Sequence, residues 1–251
     1  MRIRRRVRVP LCLATSLLAA ACTHDLNRIE DPTAVAVTTT GPWASMIYVA
    51  RTDSGVIVID LGWFGAERRL RDALMRLHAS PGDVRYVFLT HAHRDHIYAW
   101  PTVRGAQFVL GAPELPYFTG RARYRAFIPR VGDALIPYTR PQPGELTLLP
   151  LGADTAIALG RDTVFTFAVS GHTAGSTAYL FRGVLFAGDA INWRPLSGFT
   201  GARSEFSDDP AMSRISLRAL WVRLAARARL ACSAHAKCGV ADATLRTATT
   251  K

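Results

Sequence analysis

The chain has 251 residues, 49% of them hydrophobic and 20% charged, with a formal net charge of +12. That apolar content excludes a chiefly disordered chain, and the length suffices for one sizeable core. Four cysteines are too few for a disulfide scaffold, and no internal stretch approaches the ~18 apolar residues of a membrane span.

The positive charge is almost wholly arginine, with lysine only at Lys237 and Lys251. Arg2, Arg4, Arg5, Arg6 and Arg8 precede an apolar run, 11–21, that is too short for a permanent span. The run ends in Ala19-Ala20-Ala21-Cys22. This pattern predicts a signal peptide over 1–21. It resembles the bacterial lipoprotein type, in which Cys22 is lipidated after cleavage; plain signal-peptidase cleavage is the alternative. Either route predicts an exported, periplasmic protein, held to a membrane through Cys22 in the first case, where disulfides can form. A basic surface favours anionic partners by long-range attraction, but no nucleic-acid partner is expected.

Residues 22–42, Thr- and Ala-rich with Pro32, read as a tether before a single domain over 43–251. Short β-rich runs at 45–51 and 56–60 flank the turn signal Asp53-Ser54-Gly55. Leu70, Leu74 and Leu77 recur at helical spacing and predict a helix over 66–79. Pro81-Gly82-Asp83 breaks the chain before a strand at 84–90. The segment 111–142 mixes Tyr117, Phe118, Tyr124 and Phe127 with Arg121, Arg123, Arg125 and Arg130. It reads either as a lid for an anionic, partly apolar substrate or as a solvated helix face. Strands are expected at 147–159 and 163–170, and a hairpin at 178–187 around Arg182-Gly183. A helix over 210–230, opened by Asp208-Asp209-Pro210, precedes a last strand at 230–233. Strands and then a helix, twice over, predict two facing sheets with helices outside.

The ends of these strands carry the chemistry. His91, His93, Asp95 and His96 place four metal-capable side chains in six residues. In extended chain, His91 and His93 point the same way and can reach one ion, while Asp95 and His96 fall where the chain turns. His172 lies between Gly171 and Gly175; Asp60, Asp189 and His235 each leave an apolar run. Ligands from several strand ends converging on one rim are how a β scaffold builds a metal site. Trp63, Phe64 and Trp193 follow the motif loops as candidate pocket walls, and His78 on the first helix reads as a surface residue. Cys232 and Cys238 flank His235 and could close a disulfide that fixes its loop.

The order Asp60-Leu61-Gly62, His-x-His-x-Asp-His at 91–96, Gly171-His172-Thr173, Gly188-Asp189 and His235 resembles the metallo-β-lactamase-fold hydrolase superfamily over roughly 43–240. The resemblance implies an α/β fold, a four-layer αββα sandwich with metals at one edge between the sheets. It implies that His91, His93 and His172 bind a first metal, that Asp95, His96 and His235 bind a second, and that Asp189 bridges both. Asp60 would orient the histidine loop without binding metal. Two Zn²⁺ ions are the default for such donors, with Fe or Mn as alternatives. A hydroxide shared by the two ions would be the nucleophile, and Asp95 would orient it and shuttle its proton.

The resemblance leaves the small-molecule substrate open among an ester, lactone, thioester or amide. The ligand set also looks like the β-lactamase subclass lacking a cysteine ligand, although the bridging Asp189 departs from it. The chain stops soon after His235, where glyoxalase II enzymes continue into a helical domain, which argues against that activity. Ala190-Ile191-Asn192-Trp193 lacks the tyrosine expected of lactonases. Ile97-Tyr98-Ala99-Trp100 is bulkier than the usual turn and is expected to reshape the pocket floor. Phosphodiester hydrolysis, single-iron persulfide oxidation and a non-catalytic metal-binding lipoprotein are the remaining alternatives. Intact Asp95 argues against the last.

Overall fold

The computed structural model describes residues 31–38, 44–136, 138–142, 144–224, 226–235 and 238–250. The expected signal peptide at 1–21 and Cys22 lie outside them. The first sheet runs in chain order: β1 (Ala34–Thr38), β2 (Met46–Thr52), β3 (Gly55–Ile59), β4 (Val84–Phe88), β5 (Gln107–Gly111) and β6 (Thr147–Leu151). Its first three strands are antiparallel neighbours; β3 to β6 are parallel. The second sheet has the order β14 (Cys238–Val240), β13 (Leu230–Cys232), β10 (Val184–Phe186), β9 (Thr177–Phe181), β8 (Asp162–Ala168) and β7 (Thr155–Leu159). A separate hairpin joins β11 (Ile191–Arg194) to β12 (Gly198–Gly201).

The two-residue period of a strand explains the layering. Tyr48, Ala50, Ile57 and Ile59 share the space between the sheets with Tyr179, Phe181 and Phe186. Alternate residues Ile47, Val49, Val56 and Val58 turn outward onto Leu70 and Leu74 of α1 (Ala66–Arg76). On the far side, Leu180, Leu185 and Ala231 pack on Leu217 and Leu220 of α5 (Pro210–Leu224) and Leu245 of α6 (Ala241–Thr250). Each fully buried leucine contributes about 1.5–3 kcal/mol. The result is the expected four-layer αββα sandwich. Three short helices, α2 (Arg94–Ile97), α3 (Leu115–Phe118) and α4 (Phe127–Leu135), lie in the loops around one edge.

Several boundaries differ from the sequence reading, each for a local reason. Part of the expected tether, Ala34–Thr38, is the edge strand β1, paired along its whole length with β2. The expected single strand at 147–159 is two strands. Gly152-Ala153-Asp154 turns the chain from the first sheet into the second, with Asp154 accepting the Ala168 amide at 2.7 Å. The last helix of the sequence reading ends at Leu224 rather than at 230, because the Arg229 amide bonds the Gly183 carbonyl at 2.7 Å and starts β13. The strand at 230–233 is not the last element, since β14 and α6 follow. Exposed His78 (φ 50) ends the first helix region early, beyond Arg76. Among the described residues, no helix is long and apolar enough to cross a membrane.

Arg182 ties the edge of the molecule together. It takes φ 46 before Gly183 at φ 76, the paired left-handed conformation of a tight hairpin between β9 and β10. Its guanidinium donates to both Asp162 oxygens, at 2.9 and 2.6 Å, and to Asp31 at 2.8 Å. Burial raises the Asp31 carboxyl, but hydrogen bonds from Thr33 and Arg182 outweigh it and leave the group below its ordinary value. We predict that Arg182→Ala lowers stability by about 1–3 kcal/mol at neutral pH, as read by urea unfolding. A carboxyl held low in the folded chain stabilises above its unfolded pKa and stops doing so as pH falls. The gap between wild type and variant should therefore narrow below the ordinary carboxylate range.

Candidate metal centre

The buried strand β4 ends in a loop that Asp60 holds in place. Asp60 follows β3 in the left-handed region (φ 55), which Asp tolerates better than most residues. Its carboxylate accepts the Thr90 amide at 2.8 Å, the Thr90 hydroxyl at 2.8 Å and His96 Nδ1–H at 2.9 Å. Because Thr90 donates to Asp60, its oxygen is free to accept His91 Nδ1–H at 3.1 Å. Two imidazoles are thereby turned so that their Nε2 atoms face the site.

His172 arrives from the second sheet. Gly171 (φ 127) leaves no room for a side chain, since a Cβ there would lie 2.1 Å from the Ser213 amide at the start of α5. Ser207 donates to the Arg203 carbonyl at 2.7 Å and accepts His172 Nδ1–H at 3.2 Å. His91 Nε2, His93 Nδ1 and His172 Nε2 then meet in a triangle with sides of 3.0, 3.1 and 3.2 Å.

A second group lies beside the first. Asp189 leaves β10 through Gly188 (φ 54), where a Cβ would lie 2.6 Å from the Thr90 hydroxyl. One Asp189 oxygen is 3.6 Å from His172 Nε2 and 3.2 Å from His235 Nε2; the other is 3.7 Å from His96 Nε2. Asp95 Oδ2 is 3.4 Å from His235 Nε2 and 3.9 Å from His96 Nε2. The segment before β2 braces both outer ligands: the Ala44 carbonyl accepts His235 Nδ1–H at 2.9 Å, and the Ser45 hydroxyl bonds the Asp95 carbonyl. Cys232 and Cys238, directly opposed on β13 and β14, form a disulfide at the base of the His235 hairpin.

A family model described as the metallo-beta-lactamase superfamily matches residues 40–222. The chain belongs to the metallo-β-lactamase superfamily. A curated relative, "Probable polyketide biosynthesis zinc-dependent hydrolase PksB" of Bacillus subtilis (strain 168), is 25% identical over 154 residues. The match covers 59% of this chain and 56% of that protein, so the chain spans little more than half the relative's length. Among solved structures, the BLEG-1 B3 metallo-beta-lactamase superposes with a TM-score of 0.65 at 23% identity, covering 83% of this chain and 94% of that one. A metallo-beta-lactamase family protein from Thermus thermophilus gives 0.63 at 20% identity, with 88% and 79% covered. At these identities both likenesses speak for the fold alone.

The residues of this superfamily member fit a metal. Three ring nitrogens facing one another at 3.0–3.2 Å repel unless a cation or a ring proton lies among them, and a metal ion would serve all three lone pairs at once. A tetrahedral zinc with 2.0–2.1 Å bonds sets neighbouring nitrogens about 3.3 Å apart. In the second group, His96 Nε2 and Asp189 Oδ1 are buried polar atoms without a hydrogen-bond partner. The two groups differ electrically. Burial first, and then the neighbouring imidazoles, push His91 and His93 well below the usual histidine range, so their lone pairs are available. Burial also lowers His172, partly offset by Asp189. Burial would lower His96 too, but Asp60 and then Asp95 and Asp189 raise it. His235 is raised to about 10, because Asp189 and Asp95 outweigh its burial. Asp189 is drawn far below the carboxylate range by His235, His96 and His172 despite its own burial.

All seven expected ligands converge, and Asp60 touches one of them, His96, directly. Other expectations need correction. Ile97, Ala99 and Trp100 are buried in the core under α1, with the Trp100 indole donating to the Thr139 carbonyl at 2.8 Å, while half-buried Tyr98 packs on Trp63 and Phe64. Trp63 is wholly buried beneath Arg94, whereas Phe64 is 45% exposed. In the 111–142 segment, Tyr124 is buried with its ring 4.4 Å from His93 and stacked on Tyr117, while Phe127 faces solvent. Thr90, Ser207 and the fully buried Glu114 do not stand out in the sequence, where nothing separates them from ordinary polar residues.

Asp60→Asn keeps the shape but can no longer accept from all three donors. It should weaken metal binding in the His96 group by about 10–100-fold, measured by chelator competition. Unchanged affinity would show that Asp60 does not orient that histidine.

Proposed function

We propose that this protein is an exported hydrolase with two zinc ions, acting on a small ester, lactone, thioester or amide. One observation carries the reading. Asp189 faces both donor groups at once, with oxygens 3.2–3.7 Å from His172, His235 and His96. His91, His93 and His172 would hold one ion; Asp95, His96 and His235 would hold the other; Asp189 would serve both. Zinc bound there supplies a Lewis acid and a water of lowered pKa. The zinc choice is supported by the imidazole and carboxylate donors and by the relative named as a zinc-dependent hydrolase.

The side chains at the open side supply proton handling. Asp95, Asp189 and His235 are 15%, 12% and 20% exposed, whereas His96 and His172 are sealed. Substrate therefore enters from the Asp95–His235 side. Asp95 Oδ2 accepts the proton of the attacking water and returns it to the leaving group. Export is supported by the leader pattern at 1–21 and by the Cys232–Cys238 bridge, which persists in oxidising compartments. Lipidation at Cys22 would anchor the domain to a membrane. The basic charge favours an anionic substrate.

A second reading is β-lactam hydrolysis. The donor groups contain no thiolate, and both cysteines near His235 are bonded to each other. The carboxylate at Asp189 speaks against it.

The test is a panel of esters, lactones, thioesters, simple amides and β-lactams with zinc-loaded protein and an Asp95→Asn variant. Turnover of one of the first four classes, with kcat about 10²-fold lower or more in the variant, is expected. Turnover confined to β-lactams would favour the second reading. Bound zinc without turnover of any member would leave a metal-binding protein and overturn the hydrolase mechanism.

A further inference from the structure

Glu114 is buried completely, in the turn that follows β5 at the start of the 111–142 segment. Its Oε2 accepts the Ala92 amide at 2.8 Å, and its Oε1 accepts the Gly175 amide at 2.8 Å. A further hydrogen bond comes from Thr173. Ala92 sits between His91 and His93; Gly175 closes the loop that carries His172. One carboxylate thus spans two loops that come from opposite sheets and that hold the whole first histidine triangle. The approach is close. A Cβ on Gly175 would lie 2.7 Å from the Glu114 amide, and one on Gly111 would lie 2.1 Å from the Gly175 carbonyl.

No lysine, arginine or histidine pairs with Glu114 among the described residues, so its burial is costly for an acid. An apolar side chain would fill the same space at less cost. It could not join the loops, because both facing groups are amide donors and need an acceptor each. We propose that Glu114 is a positioning residue for the first metal, setting the separation of His91 and His93 from His172. The inference rests on the reading of that triangle as a metal site.

The substitutions that test it follow from the two contacts. Glu114→Gln is isosteric but presents one acceptor and one donor, so one amide faces a like group. Glu114→Asp keeps the charge but is one methylene too short to reach both. Leu74→Ala, a buried position on α1, serves as the control for stability loss. Zinc affinity is measured by chelator competition, and cobalt(II) is added to follow the visible spectrum of the occupied histidine site. Both Glu114 variants should bind the first zinc about 10–100-fold more weakly and show an altered cobalt spectrum. Leu74→Ala should lose thermal stability but bind metal as wild type does. Wild-type affinity and spectrum in either folded Glu114 variant would overturn the proposal and reduce the residue to a core contact. If wild-type protein itself bound neither metal, the site reading would fall, and the role of Glu114 with it.

Discussion

Mutual repulsion of three imidazole lone pairs is the constraint around which the metal edge is built. Their nitrogens stand 3.0–3.2 Å apart, on rings sealed from solvent, and only a cation or a proton relieves that approach. Holding them there takes separate supports. Thr90 turns His91, Ser207 turns His172, and Glu114 joins the loops that carry them. The two sheets meet at the same place, through the Thr177 amide donating to the Thr90 carbonyl at 2.8 Å. Metal affinity and the packing of the two sheets are therefore coupled.

The second group solves a different problem. Its histidines sit beside Asp60, Asp95 and Asp189, so carboxylates offset imidazole charge within the protein. It is also the wetter group, with Asp95 and His235 on the open side. A neutral, sealed triangle thus stands next to a charged, more accessible cluster. In the proposed hydrolase the first would hold its ion tightly, while the second would meet substrate and move protons.

Much of this was legible in the sequence, because function here uses rare residue types at the ends of strongly apolar runs. The histidines of 91–96, His172 and His235 stand out against a chain with seven histidines in all. The β-rich apolar runs of β2 and β3 and the Leu70–Leu74 spacing likewise indicate facing sheets with a helix outside. What escaped has a physical pattern. β1 is an edge strand of small residues, indistinguishable from a tether until β2 pairs with it. The crossing between β6 and β7 turns on one short Gly-Ala-Asp stretch inside a long apolar run. Glu114, Thr90 and Ser207 act through contacts with residues distant in sequence, which composition and spacing do not carry.

The most direct test of a two-metal centre sharing Asp189 is the zinc content of the purified domain beside a His235→Ala variant, by elemental mass spectrometry. His235 belongs to the open group and makes no contact with the histidine triangle's Nδ1 supports. About two zinc ions per chain are expected, falling towards one in the variant. A single iron per chain, unaffected by the substitution, would contradict it.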